Sequence, residues 1–138
     1  MSNWLKAKLV DVLKNPRKDL LEAACADMGF SIDYTKKKVH GAYSYEGTEN
    51  VDCVLYNTAT GEESTIGFVM AKKGNDTFLN VTGDFYATKF TGEAFTKRLG
   101  LRYNRHMIVE NLEQQGYNVE EETDTNSEVQ ITCYRAAA

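Results

Sequence analysis

The sequence predicts an α+β fold in which two helices pack on one face of a mainly antiparallel sheet of six or seven strands. Three observations predict it. Apolar and polar residues alternate in short runs along much of the chain, the period of half-buried strands. Two longer segments carry apolar residues at helical spacing, and each stops at a glycine. Three strand-like runs follow one another with only turn residues between them, which reads as a meander. A chain of 138 residues predicts one domain, here residues 1–135; the closing Ala136, Ala137 and Ala138 read as a cloning scar.

Each element follows from its local pattern. Residues 4–10 alternate, with Leu5, Ala7 and Leu9 opposite Lys6 and Lys8, and predict a first strand. Asn15-Pro16 supplies an N-cap and a first-turn proline for a helix over 16–28. Leu20, Leu21, Ala24 and Met28 form its buried face, and Gly29 caps it. A strand at 30–35 places Phe30, Ile32 and Tyr34 on one face. Residues 36–50 are charged and read mostly as loop, with a short extended piece near Val39–Tyr45. Runs at 51–57, 64–71 and 77–83, separated by turns at 57–62 and 73–76, form the meander. The second helix spans 92–115, with Phe95, Leu99, Met107, Ile108 and Leu112 as its buried stripe and Gly116 as its cap. Tyr117 and Val119 open a strand. A turn at 124–127 reverses it, and Val129, Ile131 and Cys133 line one face of the last strand. Leu20-Leu21, Cys25, Gly29, Phe30 and Ile32 echo Met107-Ile108, Leu112, Gly116, Tyr117 and Val119 at a constant offset. That echo predicts ferredoxin-like βαβ elements with an inserted β-meander.

Composition excludes several classes. Sixteen basic against 20 acidic residues leave a net charge of −4, which argues against a general binder of nucleic acid or anionic membrane. Three cysteines, at 25, 53 and 133, show no CxxC spacing and fit a reducing compartment better than a disulfide framework. The first residues lack a signal-peptide core, and no apolar run approaches the roughly 18 residues of a membrane span.

Motifs for chemistry are sparse. His40 and His106 stand without HExxH or a cysteine pair, so no metal site is expected. No GxSxG, GxGxxG or GxxxxGK[ST] motif is present, so neither a nucleophile elbow nor a phosphate loop is expected. The glutamates at 62–63 and 120–122 read as solvated rather than as an acid–base pair. No catalytic residue and no cofactor is therefore expected. The informative feature is basic. Arg98, Arg102 and Arg105 fall at i, i+4 and i+7 on one face of the second helix, with Tyr103 beside them. Such guanidiniums suit an acidic partner surface. Counter-charges from Glu121, Glu122 or another acidic strand residue would instead make the stripe structural. Tyr34, Lys36, Lys37, Lys38, Tyr43 and Tyr45 interleave aromatics with lysines, a pattern that suits single-stranded nucleic acid.

The run Phe95-Thr96-Lys97-Arg98-Leu99, Arg102-Tyr103, Val109, Gln115-Gly116-Tyr117, Val119, Glu121-Glu122 and Val129-Gln130-Ile131 resembles the hypothetical chloroplast reading frame thirty-five family. Met1-Ser2, Leu20-Leu21 with Gly29-Phe30, and Ile66-Gly67-Phe68 extend the likeness over most of the chain. The family is a small domain of unknown function in plastids, cyanobacteria and other bacteria. The resemblance therefore implies a fold and a compartment, the cytoplasm or the plastid stroma (the host cytoplasm for a viral gene), more than a reaction. The expected function is a small non-enzymatic binding or regulatory module. It would act through protein contacts, with Arg98, Arg102, Arg105 and Tyr103 meeting an acidic partner. A single-stranded nucleic-acid binder and an enzyme with an unadvertised site are the alternatives.

Overall fold

The computed structural model describes residues 4–8, 13–43, 47–86, 88, 90–124 and 128–135. Residues 9–10, the tip at 125–127 and the alanines at 136–138, each given a role by the sequence, lie outside them.

The elements run β1 (Trp4–Lys8), α1 (Lys18–Asp27), β2 (Phe30–Asp33), β3 (Lys38–His40), β4 (Thr48–Asn50), β5 (Cys53–Asn57), β6 (Glu63–Lys73), β7 (Asp76–Asp84), α2 (Gly92–Gln114), β8 (Tyr117–Asp124) and β9 (Val129–Arg135). Five strands form one sheet in the order β1-β7-β6-β5-β2, every neighbouring pair antiparallel. Strand directions therefore alternate, and β1 and β2 run the same way at opposite edges. The first unit is thus a βαβ whose two strands are held apart by the β5–β7 meander. The fold is α+β, with two helices and mainly antiparallel sheet.

Register assigns the faces, because directly opposed residues share one. Ile32 faces Leu55, Cys53 faces Phe68, Phe68 faces Val81, and Met70 faces Leu79. This row meets Leu20, Leu21, Ala24, Cys25 and Met28 of α1 and Phe95, Leu99 and Tyr103 of α2 in one core. Four phenylalanines meet there, Phe95 having Phe30, Phe85 and Phe90 at 5.6–5.9 Å between ring centres. The opposite face carries Val54, opposed to Asp33 and Gly67. The β3–β4 ladder covers it, where Val39, Val51 and Val54 are buried and Val69 packs against them. Its polar ties are satisfied too. Thr82 Oγ1 donates to Glu49 (3.0 Å), and the fully buried Asp84 accepts the backbone N–H groups of Ala42 (2.8 Å) and Tyr86 (3.0 Å).

The structure differs from the sequence expectation in four places. Residues 36–50, read mostly as loop, contain the short β3–β4 ladder. Asn15 does not cap α1, whose N-cap is Arg17. The Asn15 backbone has φ of 49°, and its side chain instead bonds Asp76 and Thr77, tying the chain to the β6–β7 turn. Strands β8 and β9 pair with each other and not with the five-stranded sheet. They lie against α2, because the face they present carries Glu122 and Asp124 opposite arginines. Met107 and Ile108, expected in the core, are 37 % and 45 % exposed. At 23 residues, about 35 Å, α2 outruns the sheet. Past mid-helix Arg102 turns to Glu122 and Asp124 of β8 and Val109 is buried, while Met107 and Ile108 are left outside.

Gly29 and Gly116 follow their helices with φ of 88° and 89°, and nothing lies within 4 Å of a Cβ at either. Their requirement is purely conformational. Gly83 is different, since a Cβ there would collide with the Thr65 carbonyl and stand 2.9 Å from Ile66 Cα. Gly29→Ala and Gly116→Ala should each lower stability by about 1 kcal/mol, and Gly83→Ala by about 2–3 kcal/mol. Urea midpoints check the ranking; an unchanged midpoint for all three would refute it.

Candidate functional site

The predicted arginine face lies on α2. Thr91 begins the helix, its Oγ1 accepting the Ala94 N–H at 3.0 Å, and Glu93 sits favourably in the positive first turn. About two to four turns on, the three arginines meet three carboxylates. Arg98 grips Asp124 with two bonds of 2.5 and 2.6 Å. Arg102 donates to Asp27 (2.8 Å), Glu122 (2.7 Å) and Asp124 (2.5 Å). Arg105 donates to Glu122 at 3.0 Å from Nε and closes a second contact at 2.9 Å from Nη2. His106 Nε2 lies 2.7 Å from Asp27. The spacing read from the sequence does bring the arginines together, and their counter-charges come from within the chain.

Burial and charge balance accordingly. The Arg102 side chain is only 10 % exposed. Burial disfavours its charge, but the hydrogen bonds it donates to Asp27 and Glu122 outweigh that and hold it above its usual range. Burial likewise raises Glu122, and its bonds to Arg102 and Arg105 more than reverse it, leaving the carboxyl below the ordinary range. Bonding to Arg98 holds Asp124 low as well.

Tyr103, expected beside an exposed face, is instead 5 % exposed and part of the core. Its hydroxyl accepts the Arg17 backbone N–H at 2.9 Å. Glu122 was among the expected counter-charges. Asp27 was not, since nothing in the sequence shows that the end of α1 abuts α2.

The thiols offer no nucleophile in the core. Cys25 and Cys53 are buried and unpaired, and burial pushes both upward, Cys53 to about 11. Cys133, which the sequence places on one face of the last strand with Val129 and Ile131, is half-exposed. Among the described residues no group of three or more His, Cys, Asp or Glu could hold a metal, and no helix is long and apolar enough to cross a membrane.

A second region is a cleft of about 550 Å³ at the β2 corner of the sheet, between the end of β2 (Ile32 to Lys36), β5 (Val54 to Tyr56) and the start of β6. β2 is an outermost strand, and its hydrogen bonding fixes which backbone groups point outward. The Thr58 N–H donates to Gly29 O, so Gly29–Thr58 is a bonded pair. By alternation Ser31–Tyr56 and Asp33–Val54 are bonded pairs, whereas Phe30 and Ile32 turn N–H and C=O away from β5. The Asn57 N–H, in the intervening pair, bonds Glu62 O across the other side, as that alternation requires. The sequence singles out Phe30 and Ile32 as core-facing, and their side chains are; that β2 is an edge depends on the topology.

The lysine–tyrosine interleave is divided. Tyr34 Oη donates to Glu22 (3.1 Å) with Lys18 4.5 Å from its ring centre, on the α1 side. Tyr43 stacks with Tyr86 at 5.7 Å, in the loop after β3, and Tyr45 lies outside the described residues.

Comparison with protein families matches residues 24–132 to the family described as a protein of unknown function, DUF1257. The chain belongs to this DUF1257 family. No curated protein and no solved structure matches it. The matched segment takes in α1 from Ala24, the whole arginine network and the β2 corner of this DUF1257 domain.

Replacing Arg98, Arg102 and Arg105 together with Ala should lower stability, with Arg102→Ala alone costing about 2 kcal/mol. The two lowered carboxyls set the acid limb. Their folded pKa values lie below the unfolded ones, so they contribute stability that is complete above the unfolded range near pH 4 and lost as pH falls through the folded values. Acid titration of the triple variant should therefore show a shallower loss of stability below about pH 5 than the parent. An identical acid limb in both would show that the network contributes nothing.

Proposed function

We propose that this DUF1257 chain is a non-enzymatic binding module acting through protein contacts, and that its contact element is the outer edge of β2. The observation that carries the reading is the pair Phe30 and Ile32, whose backbone donors and acceptors face outward beside a cleft. An edge of that kind pairs with an extended segment of another chain. The arginine face is the weaker candidate, since its guanidiniums already hold Asp27, Glu122 and Asp124. The divided aromatic–lysine surface and the negative net charge count against nucleic acid. Within DUF1257 we place the chain with the hypothetical chloroplast reading frame thirty-five proteins, on its Arg102-Tyr103 and Gly116-Tyr117 signatures. The compartment implied by that placement is the cytoplasm or the plastid stroma.

In the free chain the amides of Phe30 and Ile32 should exchange about tenfold or more faster than those of Ser31 and Asp33. Capture from a nuclease-treated lysate then tests function. Ile32→Pro removes an outward N–H without removing a β2–β5 bond. Provided the variant keeps the native amide spectrum, it should lose the captured protein. Undiminished capture by the folded variant, or capture that vanishes with nuclease, would reject the reading.

A further inference from the structure

We propose that the segment received at the β2 edge is an extended stretch of partner protein that adds antiparallel to β2. Acidic residues lie over Lys36, Lys37 and Lys38, and an apolar side chain enters the cleft. This rests on the protein-binding reading above and specifies the partner's chemistry.

The backbone argues for an extended occupant. Phe30 and Ile32 present two donors and two acceptors at the two-residue repeat of a strand. An antiparallel addition continues the pattern of every pair in this sheet and places closely spaced bonds at both residues. Because β2 is only four residues long, the paired stretch is short. Side chains must then supply the rest of the recognition.

The cleft takes one of them. On the face opposite the helices, an added strand projects a side chain one strand spacing, about 4.8 Å, from Asp33. On that face the cleft is lined by Val54 and Tyr56 beside Asp33 and Glu63, and Val54 with Tyr56 offers an apolar group a place to lie.

Charge sets the other end. Lys36, Lys37 and Lys38 follow β2 as three consecutive exposed residues, and Lys36 forms part of the cleft wall. Lys37 Nζ donates to the backbone carbonyl of Asp52 at 2.8 Å, a contact that does not cancel its charge. The acids at this end are partly engaged: the Asp33 charge faces Lys36, and Asp52 Oδ2 accepts the Met70 N–H at 2.6 Å. Asp33 Oδ1 turns back to accept the Thr35 N–H (2.9 Å) and hydroxyl (2.5 Å), Glu22 accepts from Tyr34, and Glu63 stands on the β6 side of the cleft. An antiparallel segment meets the lysines with its N-terminal end, so its acidic residues precede the paired ones. Lysines of this kind contribute chiefly orientation and association rate, and their effect is screened by salt.

The test uses the full chain and a random peptide library displayed on phage, selected at low salt. Selected peptides are then synthesised and titrated into the chain while amide exchange is followed. The expected result is peptides with Asp or Glu preceding alternating apolar residues, which slow exchange at Phe30 and Ile32. Their affinity should fall about tenfold in the Lys36→Glu, Lys38→Glu variant and at high salt, and recover in that variant when lysines replace the peptide's acids. Peptides that protect Phe30 and Ile32 without any acidic preference would overturn the proposed chemistry and leave the edge as the binding element. Selection yielding no peptide that protects those amides would overturn both. A free chain that proves dimeric, with Phe30 and Ile32 already protected, would assign the edge to a second copy and overturn the proposal.

Discussion

One buried guanidinium organises the half of the molecule that the sheet does not reach. Arg102 draws Asp27 from the end of α1 and Glu122 and Asp124 from β8 onto a single fork. A two-stranded ladder is marginal alone in water, and the inner face of β8–β9 is only half-buried. Its place against α2 therefore depends on charge as well as on apolar contact. The geometry is specific to arginine, whose planar fork can serve several carboxylates where a lysine offers one point charge. Such a cluster is not a large net source of stability, because desolvation offsets most of the attraction. What it sets is register: Glu122 and Asp124, alternate residues beyond the β8 bulge, meet arginines at helical spacing, and a one-residue slip would turn both away.

Much of this was legible in the sequence. Periods of two and of 3.6 residues mark the strands and helices, and Gly29 and Gly116 stop both helices with nearly equal φ. The meander follows from turns between consecutive alternating runs. The arginine face follows from spacing alone. Three things were not legible, each because it depends on tertiary placement. Periodicity says that Met107 and Ile108 share a face, but not that the helix has by then left the sheet. Helix–glycine–strand grammar repeats after α2, but it does not say whether the new strand joins the sheet or pairs with its successor. Local alternation puts Phe30 and Ile32 toward the helices, but only the order β1-β7-β6-β5-β2 makes β2 outermost.

The internal echo illustrates the limit. Leu20-Leu21 and Met107-Ile108 occupy equivalent places before their glycines, yet the first pair is buried and the second exposed. α1 is 10 residues long and lies wholly over the core, while α2 is 23 and extends past it. The same local pattern thus serves two environments, and the ion-pair network takes over where apolar burial stops.

The same logic separates the two candidate surfaces. At the arginine face every formal charge described has an opposite one within the chain, and a partner would have to displace bonds of 2.5–3.0 Å between groups already held together. At the β2 edge no described residue pairs with the outward backbone groups of Phe30 and Ile32, and pairing such groups with a strand is the ordinary reaction of a sheet edge. Proteins commonly guard such edges with proline, bulges, inward charges or short length. β2 contains no proline and keeps a continuous register with β5, so of these devices it relies on brevity and on Asp33, which folds onto Thr35 and ends the strand. Four residues are too few to template an indefinite sheet but enough to align a short segment, which leaves selectivity to the side chains beside it, the cleft and the lysines of residues 36–38.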